Sequence, residues 1–498
     1  MIPKVTINRL STGVPGLDEI LGGGLPEFSF NLIAGPPGCG KTTLAHQMMF
    51  ALATPARPAL YFTVLGEPPL KMLRYQQQFD FFDSEAIDHS IRFFNLSDDA
   101  MTGDLDRVLR RIVKEVEAHD SALVFVDSFR SVATGGMTED RLHSNLQQFV
   151  QQLGMLMASW QATTFLIDVY AADTEANPVH TVSDGLIRLH QDVQRNSMVR
   201  KIEIMKMRGQ ATLPGMHTFR IGKAGIRVFA PASALVADPR HETRVEPTKG
   251  RALLGVPGLD EMLGGGLPRG YSLLVAGPSG SGKSILASAF LAEGARCGES
   301  GVIAVFEQHP KRSRHRVIAD LIANGSVGLV DSRAPDLSID EIVQLLLEEI
   351  RRLKASRVVI DSLSGFEVSL APTFREDFRE NLARLVAALA GEGVTVLMTS
   401  ELEDRYTDLR FSPYGTAFMT DAIIVQRYLE VESRLLRMLA VVKVRSSDHS
   451  NELREYSIDA DGIRVGGMLT DLEGLLGGRP RREDAAGRAA ADDAADAD

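Results

Sequence analysis

The sequence predicts an α/β fold in which two similar domains follow one another along the chain. Three observations support this fold class. The phrase GVPGLDEILGGGLP at 13–26 returns as GVPGLDEMLGGGLP at 255–268. A Gly-rich loop follows a short apolar run in both halves, and further apolar runs alternate with helical stretches. This alternation is typical of a mostly parallel sheet covered by helices on both faces.

The repeat continues through four more landmarks in the same order. The loops GPPGCGKT and GPSGSGKS begin at 35 and 277, and 277 − 35 equals 255 − 13, or 242. Apolar runs ending in Asp-Ser stop at 128 and 362. KMRG and GIRVF in the first half match KVRS and GIRVG in the second. Because the period is far longer than that of solenoid repeats, we interpret the chain as one duplication.

The first half predicts its elements in a clear order. Apolar runs that predict buried strands lie at 28–34, 59–65, 91–96, 122–128 and 163–169. Helical spacing predicts helices at 42–53, 104–118 and 141–160. After Gly185 the pattern changes to close-set extended runs at 185–193, 198–207 and 217–222. These runs predict antiparallel strands at one edge of the sheet.

The second half predicts the same order. Its strands are expected at 271–277, 301–307, 357–362 and 394–400, followed by edge strands at 421–431 and 435–445. Residues 237–251 are polar and interrupted by Pro, which predicts a linker. We therefore predict a first domain at 1–236, a second at 252–470, and a disordered acidic tail at 471–498.

Composition describes a globular protein without a membrane span. Hydrophobic residues make up 44% of the 498 residues and charged residues 24%. No run of about 18 apolar residues occurs, and the N-terminus lacks the pattern of a secretory signal. The two cysteines, Cys39 and Cys297, favour a reducing cytoplasm over a disulfide scaffold. A formal charge of −11 argues against a protein that coats nucleic acid.

Both Gly-rich loops match G-x-x-x-x-G-K-[ST], the P-loop that binds ATP and Mg²⁺. Lys41 and Lys283 are expected to reach the β- and γ-phosphates, and the hydroxyls of Thr42 and Ser284 to bind Mg²⁺. The backbone amides and the helix N-terminus would cradle the phosphates. The predicted nucleotide-binding residues are Gly35, Pro36, Pro37, Gly38, Cys39, Gly40, Lys41, Thr42, Thr43, Gly277, Pro278, Ser279, Gly280, Ser281, Gly282, Lys283 and Ser284.

Each half also carries an aspartate at the end of a predicted strand, Asp127 in ALVFVDS and Asp361 in RVVIDS. An aspartate in this position downstream of a P-loop can hold Mg²⁺ or one of its waters. The alternative is a strand that simply stops at an Asp turn. The P-loop upstream in both copies favours the metal site.

These motifs together resemble the KaiC family of RecA-like ATPases over roughly residues 8–470. The resemblance implies two tandem RecA-like P-loop domains. It also implies a hexamer of two stacked rings that binds ATP at its subunit interfaces. Nucleotide state would then control binding of a signalling protein partner. Two alternatives stay open: a Ser/Thr protein kinase that phosphorylates itself or another protein, and, less favoured, a RecA- or DnaB-like motor on DNA.

The family carries two glutamates after the second strand, and each copy here keeps one of them. The pair becomes Gly66 and Glu67 in VLGEPP, and Glu307 and Gln308 in VFEQHP. By this resemblance Glu67 and Glu307 are candidate general bases for hydrolysis. The alternative for each is a solvated acid at a strand-to-loop junction. Because neither site keeps both acids, we expect slow and unequal hydrolysis.

The resemblance also assigns the K-x-R pairs. Lys206 and Arg208, and Lys443 and Arg445, match family residues that reach a neighbouring subunit's phosphate. They would stabilise charge that develops on the γ-phosphate. The second copy has Ser446 where the first has a glycine. The alternative for these residues is the solvated face of an edge strand.

The sequence departs from the family at the self-phosphorylation site. The family's adjacent Ser-Thr pair reads Ala417 and Phe418 in YGTAFMTDAII, and neither side chain accepts a phosphate. Thr416 and Ser412 lie just upstream, and Thr420 just downstream, as other candidate acceptors. We therefore rank the ATPase hypothesis above the kinase hypothesis.

Overall fold

In a computed structural model, the chain forms two compact units, Met1–Ala234 and Leu235–Asp498. The structure describes residues 7–64, 69–100, 105–127, 139–169, 182–194, 197–231, 250–306, 316–331, 336–402, 419–431, 433–470, 472–473 and 481–482. Most of the proposed linker, 237–251, lies outside the described residues. The domain limits 1–236 and 252–470 therefore stay predictions.

The first unit alternates strands and helices until β7 and then continues in strands alone. Its strands are β1 (Arg9–Leu10), β2 (Leu25–Pro26), β3 (Phe30–Gly35), β4 (Ala59–Thr63), β5 (Ile91–Asn95), β6 (Leu123–Asp127), β7 (Thr163–Val169), β8 (Gly185–Gln194), β9 (Ser197–Met207), β10 (Met216–Gly222) and β11 (Gly225–Phe229). Its helices are α1 (Leu17–Leu21), α2 (Lys41–Leu52), α3 (Pro69–Gln76), α4 (Ser97–Ala100), α5 (Leu105–His119) and α6 (Glu139–Ser159).

Nine of these strands form one sheet in the order β11-β10-β9-β8-β3-β7-β6-β4-β5. The strands from β8 to β5 in this order are parallel, whereas β9, β10 and β11 add as antiparallel strands at one edge. This confirms the predicted α/β fold class with antiparallel edge strands.

The central strands are apolar throughout because both of their faces are covered. On β6, Val124 and Phe125 are both fully buried but belong to different core clusters. The cluster of Phe125 includes Met48 of α2, and the cluster of Val124 includes Ile112 of α5. Successive side chains of a strand point to opposite faces, so the sheet lies between two helical layers.

The second unit has corresponding strands in the same order along the chain. They are β12 (Arg251–Ala252), β13 (Leu267–Pro268), β14 (Ser272–Gly277), β15 (Gly301–Val305), β16 (Val327–Asp331), β17 (Arg357–Asp361), β18 (Thr395–Glu401), β19 (Ala422–Val431), β20 (Arg434–Val444), β21 (Arg454–Asp459) and β22 (Gly462–Met468). The helices are α7 (Pro257–Met262), α8 (Lys283–Arg296), α9 (Arg316–Ala323), α10 (Ile339–Leu353), α11 (Leu363–Ser369), α12 (Pro372–Arg375) and α13 (Phe378–Gly391).

Its nine-stranded sheet has the order β16-β15-β17-β18-β14-β19-β20-β21-β22. Reading each sheet from the same edge, every strand of the first unit has a counterpart in the second. The structure therefore confirms the two tandem domains that the repeated landmarks predict.

A short pair of strands follows the second sheet. Short strands β23 (Leu472–Glu473) and β24 (Arg481–Arg482) pair in antiparallel fashion, and the rest of the predicted tail at 471–498 lies outside the described residues. Leu472 lies opposite Arg482, and Glu473 lies opposite Arg481. Among the described helices, none is long and apolar enough to cross a membrane.

Candidate functional site

In each unit the P-loop joins the central strand to the helix that follows it. β3 ends at Gly35 and α2 begins at Lys41, while β14 ends at Gly277 and α8 begins at Lys283. The loop thus lies at the carboxyl edge of the parallel strands, beside a helix N-terminus. Open α/β sheets bind their ligands at this edge, where strand order reverses, and a helix N-terminus favours anions.

The last loop glycine before each lysine is required by its backbone conformation and its neighbours. Gly40 has φ +109° and Gly282 has φ +100°, a region that favours glycine. A Cβ on Gly40 would lie 2.8 Å from Cδ1 of Ile221, and one on Gly282 would lie 2.7 Å from Cδ1 of Ile458. Ile221 of β10 and Ile458 of β21 therefore leave room only for a glycine at this position of each loop.

Both loop lysines lie over their own loops. Lys41 Nζ donates to the carbonyls of Gly35 at 2.8 Å and Pro36 at 2.9 Å. Lys283 Nζ donates to the carbonyls of Gly277 at 2.8 Å and Pro278 at 2.7 Å. Each ammonium is thus held at the mouth of a loop whose amides and helix N-terminus already favour negative charge. This arrangement can bind a polyphosphate.

The first unit brings the predicted metal residues into contact. Thr42 Oγ1 donates to Asp127 Oδ2 at 2.9 Å, and the buried Tyr61 hydroxyl donates to the same oxygen at 2.7 Å. Asp127 ends β6, two strands from β3, with β7 between them. The strand end and the helix start therefore meet at one edge of the sheet.

In the second unit the corresponding residues line a cavity of about 290 Å³. Asp361 Oδ1 accepts a hydrogen bond from Thr399 Oγ1 of β18 at 2.5 Å. The cavity is lined by Ser279, Gly280, Gly282, Lys283, Ser284, Ile285, Asp361, Ser362 and Glu401. The predicted lysine, hydroxyl and aspartate therefore share one space with a further carboxylate, that of Glu401.

The residues at these edges fit Mg²⁺. The donors are hydroxyl and carboxylate oxygens, which this hard cation prefers, and in the first unit Thr42 and Asp127 already lie within hydrogen-bond distance. Among the described residues no three His, Cys, Asp or Glu side chains cluster into a metal site. Mg²⁺ would therefore be held by one or two protein oxygens together with phosphate and water oxygens.

The fifth loop residue differs between the units in a way that the neighbouring strand matches. Cys39 is buried in the first loop, near Leu189, and burial raises the pKa of its thiol while Lys41 opposes that shift. Ser281 of the second loop is also buried but donates to Gln426 Oε1 at 2.9 Å. The polar Ser281 thus hydrogen-bonds to the polar Gln426, whereas the buried Cys39 lies near the apolar Leu189.

The structure does not describe the two candidate general bases. Glu67 with Gly66, and Glu307 with Gln308, lie outside the described residues, just past the ends of β4 at Thr63 and β15 at Val305. Their catalytic roles stay predictions.

The K-x-R pair of the first unit lies at the far end of the sheet from the loop of the same unit. The Arg208 amide donates to the carbonyl of Asp184, and the Asp184 amide donates to the carbonyl of Phe30. Phe30 begins β3 and Gly35 ends it. Five strand residues correspond to about 17 Å, so Arg208 does not reach its own loop.

The second unit repeats this placement. The Arg445 amide donates to the carbonyl of Asp421, and the Asp421 amide donates to the carbonyl of Ser272, the first residue of β14. The guanidinium of Arg445 pairs with the Asp421 carboxylate at 3.4 Å, and that of Arg208 with Asp184 at 3.1 Å. The structure therefore separates each K-x-R pair from the P-loop of its own unit.

The lysines of these pairs have depressed pKa values. Lys206 Nζ donates to the carbonyl of Ser183 at 2.5 Å, and Lys443 Nζ to that of Thr420 at 2.7 Å. Partial burial lowers the pKa of each ammonium below its usual range, and the neighbouring arginine lowers it further. An added negative charge nearby would offset both effects.

Of the candidate phosphate acceptors, only Thr420 is described. It is fully buried, which places its hydroxyl out of reach of an incoming phosphoryl group. Ser412, Thr416 and the pair Ala417 and Phe418 lie outside the described residues.

Three residues at the sites were missed from the sequence: Tyr61, Thr399 and Glu401. Tyr61 lies at the middle of a strand next to the aspartate strand, and Thr399 and Glu401 lie towards the carboxyl end of β18, between the aspartate strand and the P-loop strand. A polar side chain within or at the end of an otherwise apolar run was the signal that could have identified them.

Comparison with known proteins gives a consistent result. A family model described as "ATPase: KaiC" matches residues 10–233 and again 253–469. The circadian clock oscillator protein KaiC 1 of Synechocystis sp. is 26% identical, over 97% of this chain and 93% of its own length. KaiC of Rippkaea orientalis is 26% identical, over 96% and 92%. KaiC of Thermosynechococcus vestitus is 25% identical, over 96% and 92%.

Proposed function

This chain belongs to the KaiC family of ATPases, and we propose that each of its two units binds Mg·ATP and hydrolyses it at a subunit interface of a homohexamer. The observation that carries the proposal is the constellation of loop lysine, hydroxyl and strand aspartate, which occurs in both units at matching positions. Two sites with the same parts imply two sites with the same class of substrate.

Each P-loop would perform the phosphate binding. Lys41 and Lys283 would exchange their loop carbonyls for β- and γ-phosphate oxygens, because an ammonium gains more from an anion than from a neutral carbonyl. Thr42 with Asp127, and Ser284 with Asp361, would hold the Mg²⁺. When bound, Mg²⁺ neutralises charge on the phosphates.

Each site would be completed by the neighbouring copy. Lys206, Arg208, Lys443 and Arg445 lie at the end of the sheet away from the loop, about 17 Å along the strand. In a head-to-tail ring this end of one copy faces the loop end of the next. The paired cations would then stabilise charge on a γ-phosphate bound by the next copy.

Co-expression of two variants tests this arrangement. With Lys283→Ala in every chain to silence the second unit, we expect Lys41→Ala and Arg208→Ala to be inactive when expressed separately. Co-expressed, they should recover about a quarter of the parental phosphate release, since about one interface in four joins an intact loop to an intact arginine. The matched control co-expresses Lys41→Ala with Lys41→Ala/Arg208→Ala and should stay inactive. A mixture no more active than its parts would contradict the shared site.

Glu67 and Glu307 are proposed as the general bases. In the chain they follow β4 and β15, each of which pairs with the aspartate strand of its unit. Since they occupy different positions of the family's glutamate pair, the two units should hydrolyse ATP at different rates. Protein phosphorylation is the alternative activity and ranks second, because the one described acceptor candidate, Thr420, is buried.

Nucleotide state would control the binding of a signalling protein partner. The relatives are named circadian clock oscillator proteins, and two unequal ATP sites suit a switch better than a simple hydrolase. We place the protein in the cytoplasm, because both cysteines are unpaired and Cys297 is exposed, a state that a reducing compartment maintains.

A further inference from the structure

We propose that the metal-binding aspartate of each unit is positioned by a hydroxyl from a different neighbouring strand, Tyr61 in the first unit and Thr399 in the second. The inference rests on the proposed function and adds two positioning residues to it. These residues act through Asp127 and Asp361 and do not touch the nucleotide themselves.

In the first unit the hydroxyl comes from β4. Tyr61 lies opposite Phe125 in the β4–β6 register, two residues before Asp127. Its hydroxyl donates to Asp127 Oδ2 at 2.7 Å, and Thr42 donates to the same oxygen at 2.9 Å. Tyr61 therefore fixes the oxygen that the metal-binding threonine also contacts.

The Tyr61 ring is held so that its hydroxyl cannot swing away. The side chain is fully buried. Its ring stacks on Phe125 at 6.1 Å and 17°, with Phe93 at 5.5 Å and His46 at 4.5 Å between ring centroids. This packing keeps the hydroxyl beside the Asp127 carboxylate.

In the second unit the hydroxyl comes from the other side of the aspartate. Thr399 of β18 is fully buried and donates to Asp361 Oδ1. The residue that matches Tyr61 there is Ile303, which lies opposite Val359. The residue that matches Thr399 in the first unit is Ile167, which lies opposite Asp127.

The two units therefore show a reciprocal pattern: Tyr61 with Ile167 in one, and Ile303 with Thr399 in the other. Each aspartate has one buried hydroxyl donor and one isoleucine on its flanking strands. Where one flanking strand has an isoleucine, the flanking strand on the other side of the aspartate supplies the hydroxyl. This pattern indicates that a hydroxyl donor is needed at the aspartate and that either strand can supply it.

The physical effect is to orient a ligand of the metal. A charge-assisted hydrogen bond on one carboxylate oxygen restricts rotation of the group. Partners that orient a metal ligand typically contribute about 10–100-fold to metal affinity or activity. Because each donor contacts only the aspartate of its own unit, we expect the two sites to respond independently to loss of a donor.

Titration of Mg²⁺ against binding of a fluorescent, non-hydrolysable ATP analogue tests the proposal in the full-length chain. Tyr61→Phe is made with Lys283→Ala, and Thr399→Val with Lys41→Ala, so that one site is observed at a time. Each should raise the Mg²⁺ concentration for half-maximal binding by about 10–100-fold. Binding of the analogue in EDTA should be unchanged, which a general loss of structure would not allow.

Moving the hydroxyl provides the matched control. Tyr61→Phe/Ile167→Thr places a donor on β7, as the second unit has it on β18, and should restore at least part of the Mg²⁺ response. An unchanged Mg²⁺ requirement in both single variants would overturn the proposal. Absence of analogue binding in the Lys283→Ala and Lys41→Ala parents would instead contradict the proposed function itself.

Discussion

The buried imidazole of His46 lies on α2, one helical turn after the first P-loop, and packs against Tyr61 and Phe93. Both ring nitrogens are buried, and the Gln76 side chain is the polar group beside them. Burial lowers the pKa of this histidine to about 4, and Gln76 offsets only part of that shift. Since charging a group in the core is costly, the ring is neutral in the native state at neutral pH.

This histidine should make the first unit sensitive to mild acid. In the unfolded chain His46 takes up a proton below pH 6.5, whereas in the folded chain it does so only near pH 4. Its contribution to the free energy of unfolding is therefore complete above pH 6.5. It is lost as the pH falls from 6.5 towards 4, at about 1.4 kcal/mol per pH unit.

The variant His46→Leu removes this dependence. Urea unfolding at pH 7.5 and pH 5.5 should show a loss of stability on acidification that is smaller in the variant by about 1 kcal/mol. The chain with Gln76→Leu, which keeps the imidazole, serves as the control and should lose stability as the wild type does. Equal losses in His46→Leu and the wild type would show that the histidine is not buried as the structure has it.

At the scale of the elements, one buried cation ties three parts of the second unit together. Arg357 begins β17 with its side chain 2% exposed. Its guanidinium pairs with Glu299, donates to the carbonyls of Leu253 at 2.6 Å and Phe290 at 2.8 Å, and lies 4.6 Å from the Phe290 ring centroid. The first unit has Leu123 at the corresponding position of β6.

Loss of this arginine should be costly for the second unit alone. Arg357→Met removes the guanidinium that donates to the carbonyls of Leu253 and Phe290 and leaves Glu299 with Arg269 as its other partner, which should destabilise the unit by about 2–4 kcal/mol. Calorimetry of the full chain should show a lower transition temperature for the second unit. Arg357→Met/Glu299→Met should recover little of the loss, because Arg269 then loses its carboxylate and the two carbonyls still lack the guanidinium. Leu123→Met, the matched change in the first unit, should cost about 1 kcal/mol or less.

The sequence alone predicted the elements that are long enough to show a hydrophobic period. The predicted strand at 28–34 corresponds to β3 at Phe30–Gly35, and the predicted helix at 104–118 to α5 at Leu105–His119. The two-residue strands β1 and β2 were not predicted, because two residues have no periodicity to detect. Their pairing is decided by the repeated glycine-rich phrase folding back beside them.

The site was predictable only in part for a similar reason. Lys41 and Thr42 belong to a motif whose spacing is fixed by the phosphate it binds, and Asp127 ends an apolar run downstream of that motif in the same way as Asp361. Tyr61 and Thr399 reach their aspartates across the sheet, and sheet order does not follow chain order. From the sequence alone, each was one more residue in a buried strand.

For the whole molecule, duplication has kept the architecture and changed the sites. Sheet order is the same in both units, and the loop glycines and lysines match. The differences lie beneath the loops and beside the aspartates, where Cys39 replaces Ser281 and Tyr61 replaces Ile303. If the two sites had the same role, we would not expect paired changes at these positions and at the residues that contact them.

Incubation with γ-labelled ATP would reveal how the two sites divide the work. We expect wild type to release free phosphate and to carry no stoichiometric label on protein, since Thr420 is buried and Ala417 and Phe418 have no hydroxyl to accept phosphate. Lys41→Ala and Lys283→Ala should each abolish hydrolysis in one unit, because each removes the ammonium that its loop holds over the phosphate site. The two residual rates should differ, since the sites differ in their acids and in the hydroxyl that positions the aspartate. Two outcomes would contradict these expectations. Label that is retained on the wild-type protein and lost in Lys283→Ala would establish the second unit as a kinase, with its acceptor near Thr416. Equal residual rates would show that the residues that differ between the two sites do not affect the rate of hydrolysis.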